Sequence, residues 1–202
     1  MKTIIKDALI LFVITAIAGL MLALVNEITK DPIAEQQLKA KSDACRVVFQ
    51  DAKDFEEMGD EFYQGLNTFG WTNEHPKNGI LDVYAAKDGS GAVLGYVINI
   101  STSEGYGSEI DLCIGIRNDR TINGISVLSS QETVGLGLEA ENVLSPQFAG
   151  RNAESFVYSK TGAVADNEVD AISSATITTN AYVNCVNACL EYFDIIISKG
   201  GN

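Results

Sequence analysis

Between Ala8 and Val25 the chain reads ALILFVITAIAGLMLALV, eighteen residues without a charge. As a helix rising ~1.5 Å per residue this run is roughly 27 Å long, close to the ~30 Å hydrocarbon core of a bilayer. Lys2 and Lys6 precede it, and Glu27 and Asp31 come after it with Lys30 between them. The positive-inside rule therefore predicts a cytoplasmic N-terminus, with everything after Val25 across the membrane. The rival reading is a cleaved signal peptide with Ala16-Ile17-Ala18 as its cleavage site. Apolar residues continue past Ala18, where a cleavage region turns polar, and this favours an uncleaved anchor. No cysteine occurs before Cys45, which excludes a lipid-anchored cysteine directly after the apolar run. The expected layout is a transmembrane anchor over residues 1–30 and an extracytoplasmic domain over residues 31–202. The protein is then a single-pass protein of the cell membrane.

The composition is globular: the 202 residues are 46% hydrophobic and 20% charged, and net charge is −13. Nucleic acid is excluded as a partner, because phosphate binding needs basic patches. Lys2 and Lys6 lie on the anchor side, so the exported part is more acidic still. Anionic headgroups repel it, and the anchor alone keeps it at the membrane.

Asp31-Pro32 reads as a helix start, with Asp31 as cap and Pro32 in the first turn; that helix is expected to run to about Phe49. From Gly79 the period changes to that of strands. Ile80–Ala85 and Val93–Ile100 flank an Asp88-Gly89-Ser90-Gly91 turn. Ile110–Arg117 and Ile122–Leu128 are joined through Asn118-Asp119-Arg120. Short connections require antiparallel pairing. Asn123-Gly124 reads as a bulge within the last strand, with a hairpin turn as the alternative. A final helix is expected from about Thr178 or Thr179, with Tyr182, Val186, Cys189 and Phe193 on one apolar stripe. The fold class is α+β: an antiparallel sheet flanked by helices, behind one N-terminal transmembrane helix.

Several residues invite chemistry and have plainer readings. His75 is the single histidine and lies in a polar loop, Asn73-Glu74-His75-Pro76-Lys77, where a solvated side chain is the expectation. Cys45, Cys113, Cys185 and Cys189 are even in number. Disulfides are therefore open in an exported domain; buried free thiols are the default, and zinc-ligand spacing is not recognisable. Trp71 could stack on a flat ring, with core packing as the favoured reading. No Ser-His-Asp set, dinucleotide fingerprint or Walker motif occurs, and no catalytic or metal-ligating set is assigned. The stretch Ser173-Ser174-Ala175-Thr176-Ile177-Thr178-Thr179 precedes the last helix. Its hydroxyls suit helix capping, the favoured reading on local physics alone, and the helix terminus they border also suits a phosphate.

Residues 170–179, DAISSATITT, resemble the flavinylation motif D-x-x-[ST]-[GS]-A-T of the FMN-binding domain family. Gly105-Tyr106-Gly107-Ser108-Glu109-Ile110 is similar to the family's G-Y-x-G-x-I segment. Glu132-Thr133-Val134-Gly135-Leu136-Gly137 is similar to E-T-P-G-L-G, and Gln147-Phe148-Ala149-Gly150 to Q-F-x-G. These segments occur in the family's order over residues 105–179. With the single anchor and the short chain, the layout resembles the G subunits of Rnf electron-transport complexes. The longer C subunits of sodium-pumping NADH:quinone reductases are relatives.

The resemblance implies a cofactor, FMN, held covalently by a phosphoester to Thr176 that a separate flavin transferase makes from FAD. Asp170 would aid that reaction or its recognition, with helix-terminus electrostatics as its plainer role. Ser173, Ser174, Ala175, Glu132, Thr133, Gly135, Leu136, Gly137 and Tyr106 are the further residues expected at the cofactor. Two departures from the motifs stand out. Ser174 takes a place where many members have glycine, which matters if the site needs a positive φ. Val134 replaces a proline and loosens one turn constraint. The implied function is an electron carrier working with other subunits of a membrane redox complex, not a complete enzyme by itself. A self-contained extracytoplasmic flavin reductase is the alternative.

Overall fold

The computed structural model describes residues 2–59, 62, 70–107, 109–130, 132–133 and 137–200. The chain divides into two compact units, Met1–Ala40 and Lys41–Asn202. The described residues of the first belong to the helix α1, Lys2–Val48. It is the one described helix long and apolar enough to cross a membrane, with a mean hydropathy of 2.9 in its most apolar window. Pro32 lies inside this helix, so the helix start expected at Asp31-Pro32 is absent. Good helix formers on both sides, Ala34 to Gln37 after it among them, offset the ~3 kcal/mol that an interior proline costs.

In the second unit an antiparallel five-stranded sheet has the order β1-β2-β3-β4-β5. Its strands are β1 (Asp54–Glu57), β2 (Asn78–Lys87), β3 (Val93–Thr102), β4 (Ile110–Arg117) and β5 (Ile122–Ser130). Sequence order equals spatial order because every connection after β2 is a short turn. A one-turn helix, α2 (Trp71–Glu74), precedes β2. After β5 come a 3₁₀ turn (Gly137–Glu139), α3 (Ala140–Val143), α4 (Ser145–Phe148), β6 (Val157–Ser159), β7 (Glu168–Asp170) and the long α5 (Thr176–Gly200). β6 and β7 form a small separate parallel pair. The sequence signals strands β2 to β5; the four-residue β1 and three-residue β6 and β7 are too short to show a period.

Strand alternation gives the sheet two apolar faces. Ile98, Ile100, Leu112, Ile114 and Ile116 join the main core with Tyr182, Val186, Cys189 and Phe193 of α5, so the apolar stripe read from the sequence is the buried one. Val97 and Cys113 point the other way, into a smaller core with Ala44, Cys45, Val48 and Phe49. There the end of α1 lies close against the sheet because Gly115 has no Cβ; one would stand 2.9 Å from the Val48 carbonyl oxygen. The bulge expected at Asn123-Gly124 is present: Gly115 pairs with Gly124 and Ile116 with Ile122, leaving Asn123 extra. Its side chain is put to use, with Nδ2 donating to the Val48 carbonyl at 2.5 Å and Oδ1 accepting from Arg117 Nε at 2.7 Å. Lys41 pairs with the buried Asp82, which also accepts from Asn99. All four cysteines are free and buried. Cys45 and Cys113 share a hydrogen bond, and that bond with burial pushes the Cys113 thiol well up.

Candidate functional site

α5 begins at Thr176, earlier than the sequence expectation. Ala175 fills the capping position, since its carbonyl accepts the Thr179 N–H at 2.9 Å. An alanine side chain cannot cap, so the first N–H groups of the helix keep no side-chain acceptor among the described residues. The nearby hydroxyls are occupied elsewhere. Thr179 Oγ1 donates to the Ala175 carbonyl and accepts the Ile172 N–H. Thr178 Oγ1 donates to Glu132 Oε2 at 2.6 Å. Both threonines are buried. The Thr176 hydroxyl has no hydrogen-bond partner among the described residues and stays half-buried.

Glu132 organises the surroundings. Only 6% exposed, it accepts the Gly107 N–H on Oε1 at 3.0 Å and the Thr178 hydroxyl on Oε2. One carboxylate thus fastens three segments: the Gly105–Gly107 turn, its own loop after β5, and the first turn of α5. The site of that negative charge, beside a helix N-terminus, is favourable. Asn184 Nδ2 holds the same turn from a second point, donating to Glu104 Oε2 at 2.7 Å. Gly137 leaves room for the clasp, as a Cβ there would come within 2.5 Å of Glu132 Oε2 and 2.8 Å of Thr178 Oγ1.

These segments enclose a cleft of about 480 Å³ lined by Tyr106, Glu132, Thr133, Gly137, Ser174, Ala175, Thr176, Ile177 and Thr178. Seven of the residues singled out from the sequence therefore meet in one place: Tyr106, Glu132, Thr133, Gly137, Ser174, Ala175 and Thr176. Gly135 and Leu136, like Val134 and Ser108 of the same segments, lie outside the described residues. Ser173 and Asp170 are not part of the lining. Asp170 ends β7, and its carboxylate accepts the Ala163 N–H at 2.5 Å. Gln147 brackets its backbone, accepting the Asp170 N–H at 2.7 Å and donating to its carbonyl at 3.3 Å. Ser174 adopts φ 63°, so the glycine-like conformation is used here by a serine. Ile177 and Thr178 extend the lining beyond the residues chosen from the sequence, because the helix starts earlier than expected.

Two residues outside the cleft differ from expectation or fulfil it. His75 is not a solvated loop residue: Nε2 lies 2.7 Å from Glu191 Oε2, and the ring packs at 5.3 Å on Trp71. Trp71 is buried, donating from Nε1 to the Ala188 carbonyl at 2.9 Å, in agreement with core packing.

Residues 105–191 match the family model described as the FMN-binding domain, which defines the class of the globular unit, and the segments enclosing the cleft fall within this match. Residues 1–48 match the RnfG N-terminal region. The G subunit of the Na(+)-translocating ferredoxin:NAD(+) oxidoreductase complex of Acetobacterium woodii is 35% identical, over 95% of this chain and 92% of that one. The G subunit of the ion-translocating oxidoreductase complex of Methanosarcina acetivorans is 30% identical, over 95% of each chain. The chain belongs to this family of G subunits. Its fold is that of NqrC from Shewanella oneidensis, with a TM-score of 0.52 at 16% identity over 76% of this chain and 88% of that one.

Proposed function

We propose that this protein is an electron-carrier subunit of a membrane-bound, ion-translocating oxidoreductase complex, with FMN joined through its phosphate to Thr176 Oγ1. The observation that carries the reading is the state of the hydroxyls: those of Thr178 and Thr179 are buried and bonded, while that of Thr176, in the cleft lining, has no partner among the described residues. The chain fits the group. Unsatisfied N–H groups at the start of α5 suit a phosphate, and a cleft of about 480 Å³ is within the range of ligand sites, ~300–1,000 Å³. When bound, FMN supplies one- and two-electron transfer, and the protein sets its position and surroundings. Glu132 keeps the cleft's three segments together, and Ala175 leaves the helix terminus open to the phosphate.

In this reading the Thr176 oxygen forms a bond to phosphorus as the pyrophosphate bond of FAD breaks, AMP leaves, and the hydroxyl proton passes to solvent. A threonine hydroxyl is too weak an acid for this unaided, so a flavin transferase is the maturation partner. Asp170 acts by holding the 163 loop beside the motif. The domain faces away from the cytoplasm, a topology the Lys2 and Lys6 bias supports, and the tether prevents loss of the cofactor there.

The test is intact-mass analysis after coexpression with a flavin transferase. Wild type is expected to gain one FMN phosphoester and Thr176→Ala none, with peptide mapping to Thr176. Full flavin occupancy in the variant, or mapping to Ser173 or Ser174, would overturn the assignment.

A further inference from the structure

We propose that Glu74, His75 and Glu191 form a zinc site that joins α2 to α5, separate from the cleft. A ring nitrogen of His75 and one carboxylate oxygen from each glutamate lie within 4.8 Å of one another. Zinc bonds of ~2.0–2.2 Å place neighbouring donors somewhat closer than that, and small rotations of the exposed glutamate side chains bring them in. The imidazole is the preset member. It packs on Trp71, whose indole N–H is anchored on Ala188, one helical turn short of Glu191. The backbone of His75 is fixed on both sides: its N–H donates to the Trp71 carbonyl at 2.8 Å, and its carbonyl accepts from Asn78 at 3.1 Å. Nε2 faces Glu191 at 2.7 Å. The His75 side chain is 16% exposed and that of Glu191 49%, so a rigid donor meets an adjustable one.

The charges point the same way. Glu74 and Glu191 bring two negative charges to one imidazole in a chain of net charge −13. Among the described residues the Glu74 carboxylate has no hydrogen-bond or ion-pair partner of its own. Two carboxylates and a neutral imidazole bind a dication with no residual charge, and water completes four-coordination. An imidazole donor disfavours calcium and magnesium, which take oxygen ligands. Imidazole suits zinc, copper, iron and nickel, and of these zinc is the redox-inert ion that takes a four-coordinate set of nitrogen and oxygen ligands. The ion acts as a cross-link between segments 116 positions apart.

The ambiguity of most zinc titrations is absent here, because His75 is the only histidine and all four cysteines are buried. Untagged full-length protein in detergent is titrated with zinc chloride by calorimetry and melted with and without the metal. One zinc per chain and a higher Tm with zinc are expected. His75→Ala, Glu74→Gln and Glu191→Gln should each weaken binding by about tenfold or more, as even supporting residues of metal sites do. The two glutamine variants are isosteric and partly solvent-facing, so their zinc-free Tm should stay near that of wild type. No uptake by wild type, or uptake unchanged in the three variants, would overturn the proposal.

Discussion

Ser174 holds a left-handed backbone conformation, φ 63°, that costs an L-residue with a side chain ~1–2 kcal/mol. Its side chain is exposed and makes no hydrogen bond among the described residues, so removing it loses little. Glycine relieves the conformational cost and adds ~0.5–1 kcal/mol of unfolded-state entropy. Ser174→Gly is therefore expected to stabilise the protein by about 0.5–1 kcal/mol, a rise in Tm of about 2 °C for a chain of this size. Thermal melts of the two proteins check it; a lower Tm in the variant would mean that the serine side chain has a role in the folded state. The position was visible in the sequence as a departure from a glycine, and the reason for the glycine is now a dihedral angle. The place of Thr176 beside the cleft was legible too, since its motif is contiguous. Glu132 was legible only as a motif member. Its clasp on Gly107 and Thr178 joins residues 25 and 46 positions away, and no local pattern encodes such a pairing. The bond between His75 and Glu191 was hidden for the same reason.

At the scale of elements, the short parallel pair β6 and β7 depends on the loop between them. Glu168 Oε2 accepts the N–H groups of Val164 and Ala165 at 2.8 and 3.2 Å, and these two bonds hold its carboxyl below the usual range. A depressed folded-state pKa means that the loop gains stability from the ionised form above the unfolded pKa, ~4.3. That contribution is lost as pH falls through the lower folded value. Hydrogen exchange at the Val164 and Ala165 amides should therefore show protection, beyond the intrinsic pH dependence of exchange, that falls on acidification below about pH 4. Glu168→Gln should show the reduced protection already at neutral pH. Equal protection in the variant at neutral pH would show that the carboxylate does not hold the loop. The next residues along lead to Asp170 and the motif, so this loop is a neighbour of the site without lining it. Elements with a long period, β2 to β5 and α5, were readable from the sequence. One-turn helices and three-residue strands were not, because tertiary packing and not local pattern sets them. The uninterrupted α1 shows the opposite limit, where a strong local signal at Pro32 yields to the helix on either side of it.

At the scale of the whole molecule, one apolar helix is joined to one globular unit with one cleft built from the family's motif segments. Carrying electrons in series with other subunits, as proposed, makes a specific demand: the carrier has to be present. Thr176 is suited to a test of that demand because its hydroxyl supports no other part of the fold among the described residues. Thr176→Ala should leave the stability within about 0.5 kcal/mol of wild type, the usual range for a substitution that breaks no named contact. In membranes, the assembled complex carrying the variant is expected to keep its other subunits while electron transfer through it falls to near background. A structural contact behaves differently, since its loss weakens assembly in proportion to the contact removed. Subunit recovery on native gels and electron transfer in the same membranes separate the two. Normal transfer in an assembled Thr176→Ala complex would refute the relay. Poor assembly would instead assign Thr176 to subunit packing. A free-standing reductase predicts a third pattern, in which the flavinylated protein alone turns over NADH. No dinucleotide fingerprint is present to bind that donor, so the expected result is that the isolated protein takes electrons from a strong chemical reductant and leaves NADH unoxidised.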